Sequence, residues 1–311
     1  MSLIDKALAL WNITEATTSL IAARENHVYR IDHSAGTLAL RIHRQNYRTN
    51  TQLLAELDWM AWLAKSGLSV PTPQYSHDQS YLHIIDDVQV DMLTWLPGVT
   101  LEEILPTLPA AERALLFHRI GSEMAKLHLA SASWPDERQC QRPLWDADGL
   151  AGINPLWDKF WENPALDDMQ KDVLIRFRDI AHKCLSKMSK TQDYGLIHAD
   201  MVPSNILIEQ DELHIIDFDD GGFGYYMFDV ATALLKHSEA EDFCALQKAF
   251  IKGYLSQRDM DMAHLNLFMA LRAVTYLGWN ITRMDEDSTG TRNKRFINQS
   301  FKWVTLFSEK I

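Results

Sequence analysis

The chain has 311 residues, of which 47% are hydrophobic and 23% are charged, with 13 glycines and 10 prolines. These values exclude a small binding module and a disordered, collagen-like or low-complexity protein, and they predict one large or two coupled globular domains. The 30 Lys and Arg residues against 42 Asp and Glu give a formal net charge of −12, which repels a phosphate backbone, so we expect no nucleic-acid partner.

The chain up to about Pro97 has the pattern of a small α+β lobe. Residues 1–11 have the pattern of an amphipathic helix without the apolar region and cleavage site of a secretion signal. Apolar residues at helical spacing over 51–65, followed by Gly67, predict a second helix. Short apolar or alternating runs bounded by turn residues predict strands at 19–23, 28–31, 37–42, 81–85 and 90–96.

Helical periodicity dominates the chain after Pro97. The predicted helices lie at 111–130, 168–188, 241–255, 262–283 and 295–307. One strand pair interrupts them, near residues 205–217. The sequence therefore predicts an N-terminal lobe, residues 1–96, and a helical C-terminal lobe, residues 97–311.

Two absences in the sequence bear on the cellular setting. No run of 18 apolar residues occurs, so we expect no membrane-spanning segment. Cys140, Cys184 and Cys244 are odd in number and widely spaced, with no zinc-type spacing around them. These cysteines fit reduced thiols, so we expect a cytoplasmic location.

The hairpin in the second half of the chain carries candidate metal ligands. The β-favouring triplets 206–208 and 214–216 are joined by polar residues, and pairing 208 with 214 would place Asn205 opposite Asp217. Opposed Cα atoms in an antiparallel pair lie about 4.5–5.5 Å apart, so two oxygen ligands would converge. Mg²⁺ takes one or two protein oxygens together with phosphate oxygens and water. Asp200, in the preceding loop, is placed to accept a proton from a substrate hydroxyl.

Two motifs in this stretch resemble the catalytic and metal-binding loops of the protein-kinase-like fold. They are His198-x-Asp200-x-x-x-x-Asn205 and Asp217-Phe218-Asp219. Ala199 and Asp219 stand where protein kinases have Arg and Gly, as in the aminoglycoside phosphotransferase and choline kinase superfamily. That superfamily contains antibiotic, choline, homoserine and hydroxylysine kinases. The resemblance implies a two-lobed α+β protein-kinase-like fold with the active site in the cleft between a nucleotide-binding and a catalytic lobe.

The resemblance also implies roles for individual residues. Asp200 would orient and deprotonate the acceptor hydroxyl, and Asn205 and Asp217 would hold Mg²⁺. Asp219 is either a further metal ligand or a solvated loop residue, and these readings stay open. Asp229 resembles the buried acid that caps the catalytic loop in this family, which is a structural role.

The first lobe contains two further similarities to the family. Residues 38–41, Leu-Ala-Leu-Arg, resemble the strand that carries the phosphate-binding lysine, so Arg41 would hold the nucleotide phosphates. Glu56 shares the inward face of the helix over 51–65 and would form an ion pair with Arg41. Arg in place of Lys keeps the charge but changes reach and geometry.

The remaining nucleotide contacts are implied by position alone. The glycine-rich loop is missing, and residues 24–29 occupy the turn in its place, where Asn26 tolerates a positive φ and is a candidate phosphate contact. Residues 91–97 resemble the hinge of the family. The backbone near Leu93 and Trp95 would therefore bind the adenine base.

Taken together, the motifs predict ATP-dependent, Mg²⁺-assisted phosphoryl transfer to the hydroxyl of a small molecule that carries an amine. Residues 217–242 hold seven acids against the single Lys236, which favours a cationic or zwitterionic acceptor, although charge runs are usually solvated helix faces. Arg272 or Arg283 could hold the carboxylate of a zwitterion. Two alternatives stay open, a Ser/Thr protein kinase of the same superfamily and a nucleotide-binding regulator without turnover.

Four of the ten tryptophans are clustered at 134, 145, 157 and 161. Packing of an irregular insert explains such a cluster, and an aromatic wall for a cationic substrate is the alternative. The sequence leaves the oligomeric state open.

Overall fold

The computed structural model describes residues 2–23, 26–136, 140–188, 190 and 193–309. The chain divides into two compact units, each built from several segments. Unit 1 consists of Met1–Ile104, Ser133–Arg142 and Ser204–Asp219, and unit 2 consists of Leu105–Ala132, Pro143–Pro203 and Asp220–Ile311. The two predicted lobes, residues 1–96 and 97–311, stay a prediction. Two segments that follow residue 97, Ser133–Arg142 and Ser204–Asp219, belong to unit 1.

Ten α-helices and eleven strands follow one another along the described part of the chain. They are α1 (Leu3–Leu10), β1 (Ala16–Ala23), β2 (Asn26–His33), β3 (Gly36–His43), α2 (Asn50–Lys65), β4 (Leu82–Ile85), β5 (Val88–Thr94), β6 (Val99–Thr100), α3 (Leu101–Ile104), α4 (Ala110–Ala132), β7 (Leu144–Trp145), α5 (Ala147–Ala151), α6 (Asp168–Leu185), β8 (Tyr194–Ile197), β9 (Ile206–Glu209), β10 (Glu212–Ile215), β11 (Gly222–Tyr225), α7 (Tyr226–Leu235), α8 (Phe243–Leu255), α9 (Leu265–Ile281) and α10 (Thr291–Ser308). The predicted α+β class is confirmed.

Unit 1 is built on a five-stranded antiparallel sheet with the strand order β1-β2-β3-β5-β4. Successive side chains of a strand point to opposite faces, so β3 presents Leu40 and Ile42 to one side and Arg41 to the other. The apolar side packs against α1, and this core contains Ala7, Leu8, Ile31, Leu40, Ile42, Val90 and Met92. The register places Arg41 of β3 directly opposite Asp91 of β5.

Helix α2 begins at a capping box, in which Thr49 and Gln52 satisfy each other's backbone N–H groups. Its buried face contains Leu53, Leu57 and Met60, as the helical spacing predicted, and Glu56 lies among them with no exposed surface. The sequence pattern therefore placed a carboxylate correctly on the inward face of α2.

The hairpin of unit 1 forms with a register one residue away from the predicted one. Ile208 pairs with Leu213 rather than with residue 214, because a two-residue turn joins Glu209 to Glu212. The backbone N–H of Ile216 consequently donates to the carbonyl of Asn205 at 3.0 Å. The predicted opposition of Asn205 and Asp217 is wrong, since a one-residue change of register exchanges the faces of a strand.

Unit 2 is mainly helical, but the prediction of a single strand pair after Pro97 is wrong. A three-stranded sheet of order β7-β11-β8 lies in this unit. Strand β7 has two residues, and β11 reads Gly-Phe-Gly-Tyr, so neither gives the alternating apolar signal of a strand. Helices α4 and α8 pack closely where Gly121 and Gly253 face the partner backbone. No helix in the described part of the chain is both long and apolar enough to cross a membrane.

Candidate active site

The loop after β8 in unit 2 holds the predicted catalytic residue in a constrained conformation. Ala199 is fully buried and has a φ of 64°, a left-handed conformation that costs a non-glycine residue about 1–2 kcal/mol. Asp229 stabilises it, because its carboxylate accepts hydrogen bonds from the backbone N–H groups of His198 (2.8 Å) and Ala199 (2.7 Å). The same carboxylate contacts Nε2 of the buried His128 at 3.1 Å. The structural role predicted for Asp229 is confirmed.

Asp200 follows this constrained turn and is the accessible carboxylate of the loop. Its side chain is 25% exposed. Its backbone N–H donates to Nδ1 of His198 at 3.3 Å, so His198 braces the loop. Its Oδ1 accepts a hydrogen bond of 2.6 Å from Nη2 of Arg272 in α9. The sequence-predicted base is therefore held at the backbone and at one carboxylate oxygen.

Arg272 is fully buried and lies against aromatic rings. Its guanidinium carbon is 4.7 Å from the ring centroid of Trp157 and 4.5 Å from that of Tyr276. Burial opposes its charge, but Tyr276 and Asp200 outweigh that effect and raise the pKa of Arg272. Arg283 instead lies over Trp279 at 4.4 Å. The carboxylate-binding role suggested for these two arginines stays a prediction.

In unit 1, Arg41 lies at the centre of a buried network of charges. Its Nε and Nη2 donate to both oxygens of Asp91, each at 2.8 Å, and its Nη1 donates to Oε1 of Glu56 at 2.7 Å. His43 Nε2 contacts Oδ2 of Asp91 at 2.7 Å. Burial would raise the pKa of Asp91, but Arg41 and His43 outweigh it and lower the pKa to about 2. The predicted contact between Arg41 and Glu56 is present, and its use in nucleotide binding stays a prediction.

Arg142 connects this network to the backbone of the Asp-Phe-Asp motif. Its Nη1 donates to Oε2 of Glu56 at 2.9 Å, and its Nη2 donates to the carbonyls of Phe218 (2.9 Å) and Asp219 (2.5 Å). Burial would raise the pKa of Glu56, but Arg41 and Arg142 together lower it. Glu56 therefore pairs with the guanidinium groups of both Arg41 and Arg142, whereas the sequence indicated only Arg41.

Asp91 and Arg142 are the site residues that sequence reasoning missed. Asp91 had a usable signal, because a carboxylate stands in the otherwise apolar run of β5, in register with Arg41. Arg142 had none, since it comes from an irregular segment that gives no periodicity from which its direction could be read.

The residues of the predicted metal site lie together in one short segment of unit 1. Asp217 is exposed and has a φ of 68°, and Asn205 is buried at the start of β9. Asp219 is 4% exposed, and its Oδ1 has no hydrogen-bond partner among the described residues, with Nε of Arg48 3.8 Å away. Burial first, and the charge of Glu56 second, raise the pKa of Asp219.

This set of oxygens fits a hard divalent cation that also binds phosphate. A buried carboxylate oxygen without a hydrogen-bond partner is costly unless a cation or donor completes it, and Asp219 has such an oxygen. Among the described residues no cluster of three or more His, Cys, Asp or Glu forms a complete protein cage for a metal. Mg²⁺ does not require one, because it binds through one or two carboxylates and takes its other ligands from phosphate and water.

The predicted contacts for the nucleotide base and phosphate lie on the sheet of unit 1. Asn26 is the first residue of β2 and pairs with His43, while Arg24 and Glu25 of the predicted turn lie outside the described residues. Leu93 is buried in β5 and pairs with Ala39. The N–H of Trp95 donates to the carbonyl of Thr37 at 3.4 Å. Binding of adenine by this stretch and of phosphate by Asn26 stays a prediction.

The clustered tryptophans serve mainly as core. Trp134, Trp145 and Trp161 are each at most 8% exposed. Trp157 is partly exposed, but its ring already faces the guanidinium of Arg272. The contact between a cation and an aromatic ring is thus made within the protein at this position.

The acidic run after the metal motif is dispersed over the fold of unit 2. Asp229 is buried beneath the catalytic loop. Glu239 forms an exposed ion pair with Lys302, and Asp242 forms a half-buried one with Arg113. The run therefore does not form a single acidic face, and the charge of the acceptor stays a prediction.

A model of the APH phosphotransferase enzyme family matches residues 17–265. The chain belongs to this family. Homoserine kinase from Brucella melitensis is 26% identical to this phosphotransferase over 265 residues, which cover 84% of this chain and 76% of the relative. The structure of a microcompartment-associated aminopropanol kinase is 25% identical, with a TM-score of 0.82 over 97% of this chain and 94% of that one. An amicoumacin kinase in complex with AMP-PNP and Ca²⁺ has a TM-score of 0.79 at 21% identity, over 97% and 92% of the two chains.

These similarities confirm the family and the kinase-like fold that the two motifs indicated. The protein is a phosphotransferase. Because this family consists of enzymes, the match does not support the alternative of a nucleotide-binding regulator without turnover. The catalytic, nucleotide-binding and metal-binding roles of individual residues stay predictions.

Proposed function

We propose that this phosphotransferase transfers the γ-phosphate of ATP to the hydroxyl of a small, amine-bearing molecule. The family match supports phosphoryl transfer, and the partly exposed carboxylate of Asp200 on its braced loop is the observation that carries the proposal. Homoserine and aminopropanol, named for two relatives, each contain a hydroxyl and an amine. The formal charge of −12 favours the approach of cations.

In this proposal Asp200 accepts the proton of the acceptor hydroxyl as the oxygen attacks the γ-phosphorus. A positioned carboxylate is suited to that role because proton transfer needs hydrogen-bond contact and a fixed orientation. Asn205, Asp217 and Asp219 would hold Mg²⁺. The bound cation would neutralise phosphate charge in the transition state. The complex of the amicoumacin kinase with AMP-PNP and Ca²⁺ supports a nucleotide and a divalent cation as partners.

Arg41 would steady the phosphates in cooperation with Glu56. A guanidinium has five N–H donors, and Arg41 uses three of them on Asp91 and Glu56. A phosphate contact would therefore come from the remaining two donors. We place the adenine near the backbone of Leu93 and Trp95 and a phosphate contact at Asn26, by resemblance to the family.

A coupled ADP-release assay with a panel of acceptors tests this function. The panel contains amino alcohols, hydroxyamino acids and aminoglycosides, each matched with a neutral or anionic analogue of the same length. We expect turnover only with amine-bearing acceptors, and a KM that rises with salt because ions screen the attraction over about 8 Å at physiological ionic strength. A neutral or anionic analogue that is preferred, or a KM that ignores salt, would contradict an amine-bearing acceptor.

Product analysis separates this proposal from the Ser/Thr protein kinase alternative. Mass spectrometry of the reaction would find a phosphate ester of the small acceptor and unmodified protein. Phosphorylated protein without any small-molecule product would favour the alternative. ADP release that needs no acceptor would instead indicate simple ATP hydrolysis.

We also propose a cytoplasmic location. Cys184 and Cys244 are free thiols, which fits a reducing compartment. Fractionation of cells that express the tagged full chain tests this, and recovery from an oxidising compartment would contradict it.

A further inference from the structure

Arg272 is a fully buried cation at the candidate base, and hydrogen bonding satisfies it only in part. Its Nη2 donates to Oδ1 of Asp200 at 2.6 Å and to the hydroxyl of Tyr276 at 3.1 Å. Its Nε and Nη1 have no hydrogen-bond partner among the described residues. Removing a charge from water costs several kcal/mol, and a well-packed apolar side chain is often as stabilising at such a position. Fold stability alone therefore does not account for an arginine here.

Aromatic side chains hold the guanidinium in place. Trp157, Tyr276 and Phe228 have ring centroids 4.7, 4.5 and 5.6 Å from its central carbon. Tyr276 follows Arg272 by one turn of α9, so the same helix provides both groups. A planar guanidinium stacks on aromatic faces in a way that a lysine ammonium does not.

The fold also fixes the segment that carries Trp157. A Cβ at Gly278 would overlap the carbonyl oxygen of Trp157, so only glycine lets this segment approach α9. Asn163 donates to Oδ1 of Asn293 at 3.0 Å and to the carbonyl of Leu277 at 2.9 Å, and it is completely buried. The ring over Arg272 is thus positioned by backbone packing and by a buried amide network.

We propose that Arg272 is a positioning residue, which sets the rotation of the Asp200 carboxylate through Oδ1 and thereby orients the group toward the acceptor hydroxyl. This inference rests on the proposed role of Asp200 as base. Arg272 has no exposed surface, so it acts through Asp200 rather than on the acceptor. A misplacement of a reacting group by about 1 Å costs on the order of 10² in rate, which sets the size of the effect.

The test compares Arg272→Ala, Arg272→Lys and Asp200→Asn by steady-state kinetics with the acceptor found in the ADP-release screen. We expect Arg272→Ala to lower kcat by about 10²-fold with little change in the KM for ATP, and Arg272→Lys to recover only part of the loss. Added guanidinium chloride at non-denaturing concentration should restore kcat of Arg272→Ala in a saturable way. Rescue by a free guanidinium requires a folded enzyme, so it separates positioning from a folding defect.

Arg178→Ala is the matched control. Arg178 also lies over a tryptophan, 4.6 Å from the centroid of Trp161, and pairs with a carboxylate, that of Asp179 at 2.6 Å. It makes no contact with Asp200 in the described structure, so its removal should leave kcat unchanged and guanidinium without effect.

The combined variant Arg272→Ala/Asp200→Asn decides how the two residues are related. If Arg272 acts through Asp200, the second substitution removes little further activity from Asp200→Asn in single-turnover measurements. Three results would overturn the inference: an equal loss of rate when Arg272→Ala is introduced into wild type and into Asp200→Asn, a wild-type kcat for Arg272→Ala, or no rescue by guanidinium. None of these results would contradict the role of Asp200 as base. An active Asp200→Asn enzyme would instead overturn the proposed role of Asp200.

Discussion

Replacing Arg41 by Met should destabilise unit 1 more than replacing Arg41 and Asp91 together. The single substitution removes three charge-assisted hydrogen bonds of 2.7–2.8 Å from groups that are at most 7% exposed. Glu56 keeps Arg142 as a partner, whereas the charged side chain that stays in contact with Asp91 in the described part of the chain is His43. An isolated buried charge typically costs about 3–5 kcal/mol, so we expect a loss of that size in the free energy of unfolding.

The pH dependence of this loss follows from the pKa of Asp91. Its folded pKa of about 2 lies below the ordinary value of 3.8, so the carboxylate contributes stability that is present above about pH 4 and is lost as the pH falls through 2. That difference corresponds to about 2 kcal/mol. In Arg41→Met the group that lowers this pKa most is gone, while burial still raises it. We therefore expect the difference in the free energy of unfolding between wild type and variant to shrink as the pH falls from 7 to 5.

Urea unfolding followed by tryptophan fluorescence measures both effects. The double variant Arg41→Met/Asp91→Leu should recover more than half of the lost free energy, because it removes the stranded carboxylate. Arg30→Met is the control, since Arg30 forms a bidentate contact with Asp32 in the same sheet at positions that are about 40% exposed, and its midpoint should not move. A double variant as unstable as Arg41→Met would refute the reasoning.

Three further substitutions have defined outcomes. Asp229→Asn should lower both the thermal midpoint and the initial rate, because it replaces the charged carboxylate that accepts hydrogen bonds from two buried N–H groups of the catalytic loop. An unchanged rate would contradict the role of Asp229 in holding this loop. Gly253→Ala should cost about 1–3 kcal/mol in urea unfolding, since its Cβ overlaps the carbonyl of His118, and a neutral result would mean that α4 and α8 can separate freely. Asp217→Ala should raise the Mg²⁺ concentration needed for half-maximal activity, and an identical metal titration would place the cation elsewhere.

Elements with strong periodicity were predictable from the sequence, and elements that are buried on all sides were not. Helix α2 has one buried face, so its spacing placed Glu56 inward, and the resemblance to the family implied the pairing with Arg41 that the structure contains. Helix α7 is buried at every position and therefore shows no polar face. Strand β11 contains two glycines and gave no strand signal.

The sequence indicated which residues form the candidate site more fully than it indicated which residues contact one another there. The two motifs indicated Asp200, Asn205 and Asp217, but the hairpin register depends on a two-residue turn that composition did not distinguish from a longer one. The partner of Asp200 lies 72 residues away in α9, and no local pattern connects Arg272 to it. Such contacts are fixed by tertiary packing, which leaves no short-range signal.

The role of Asp200 as base is tested most directly by single-turnover transfer from γ-labelled ATP in the Asp200→Asn enzyme, with ATP binding measured separately by calorimetry. The amide keeps the shape of the carboxylate and removes the proton acceptor. Loss of a general base typically lowers the rate by about 10²–10⁴-fold, and we expect a loss of that size with unchanged affinity for ATP. A variant that transfers phosphate at most of the wild-type rate would contradict the account.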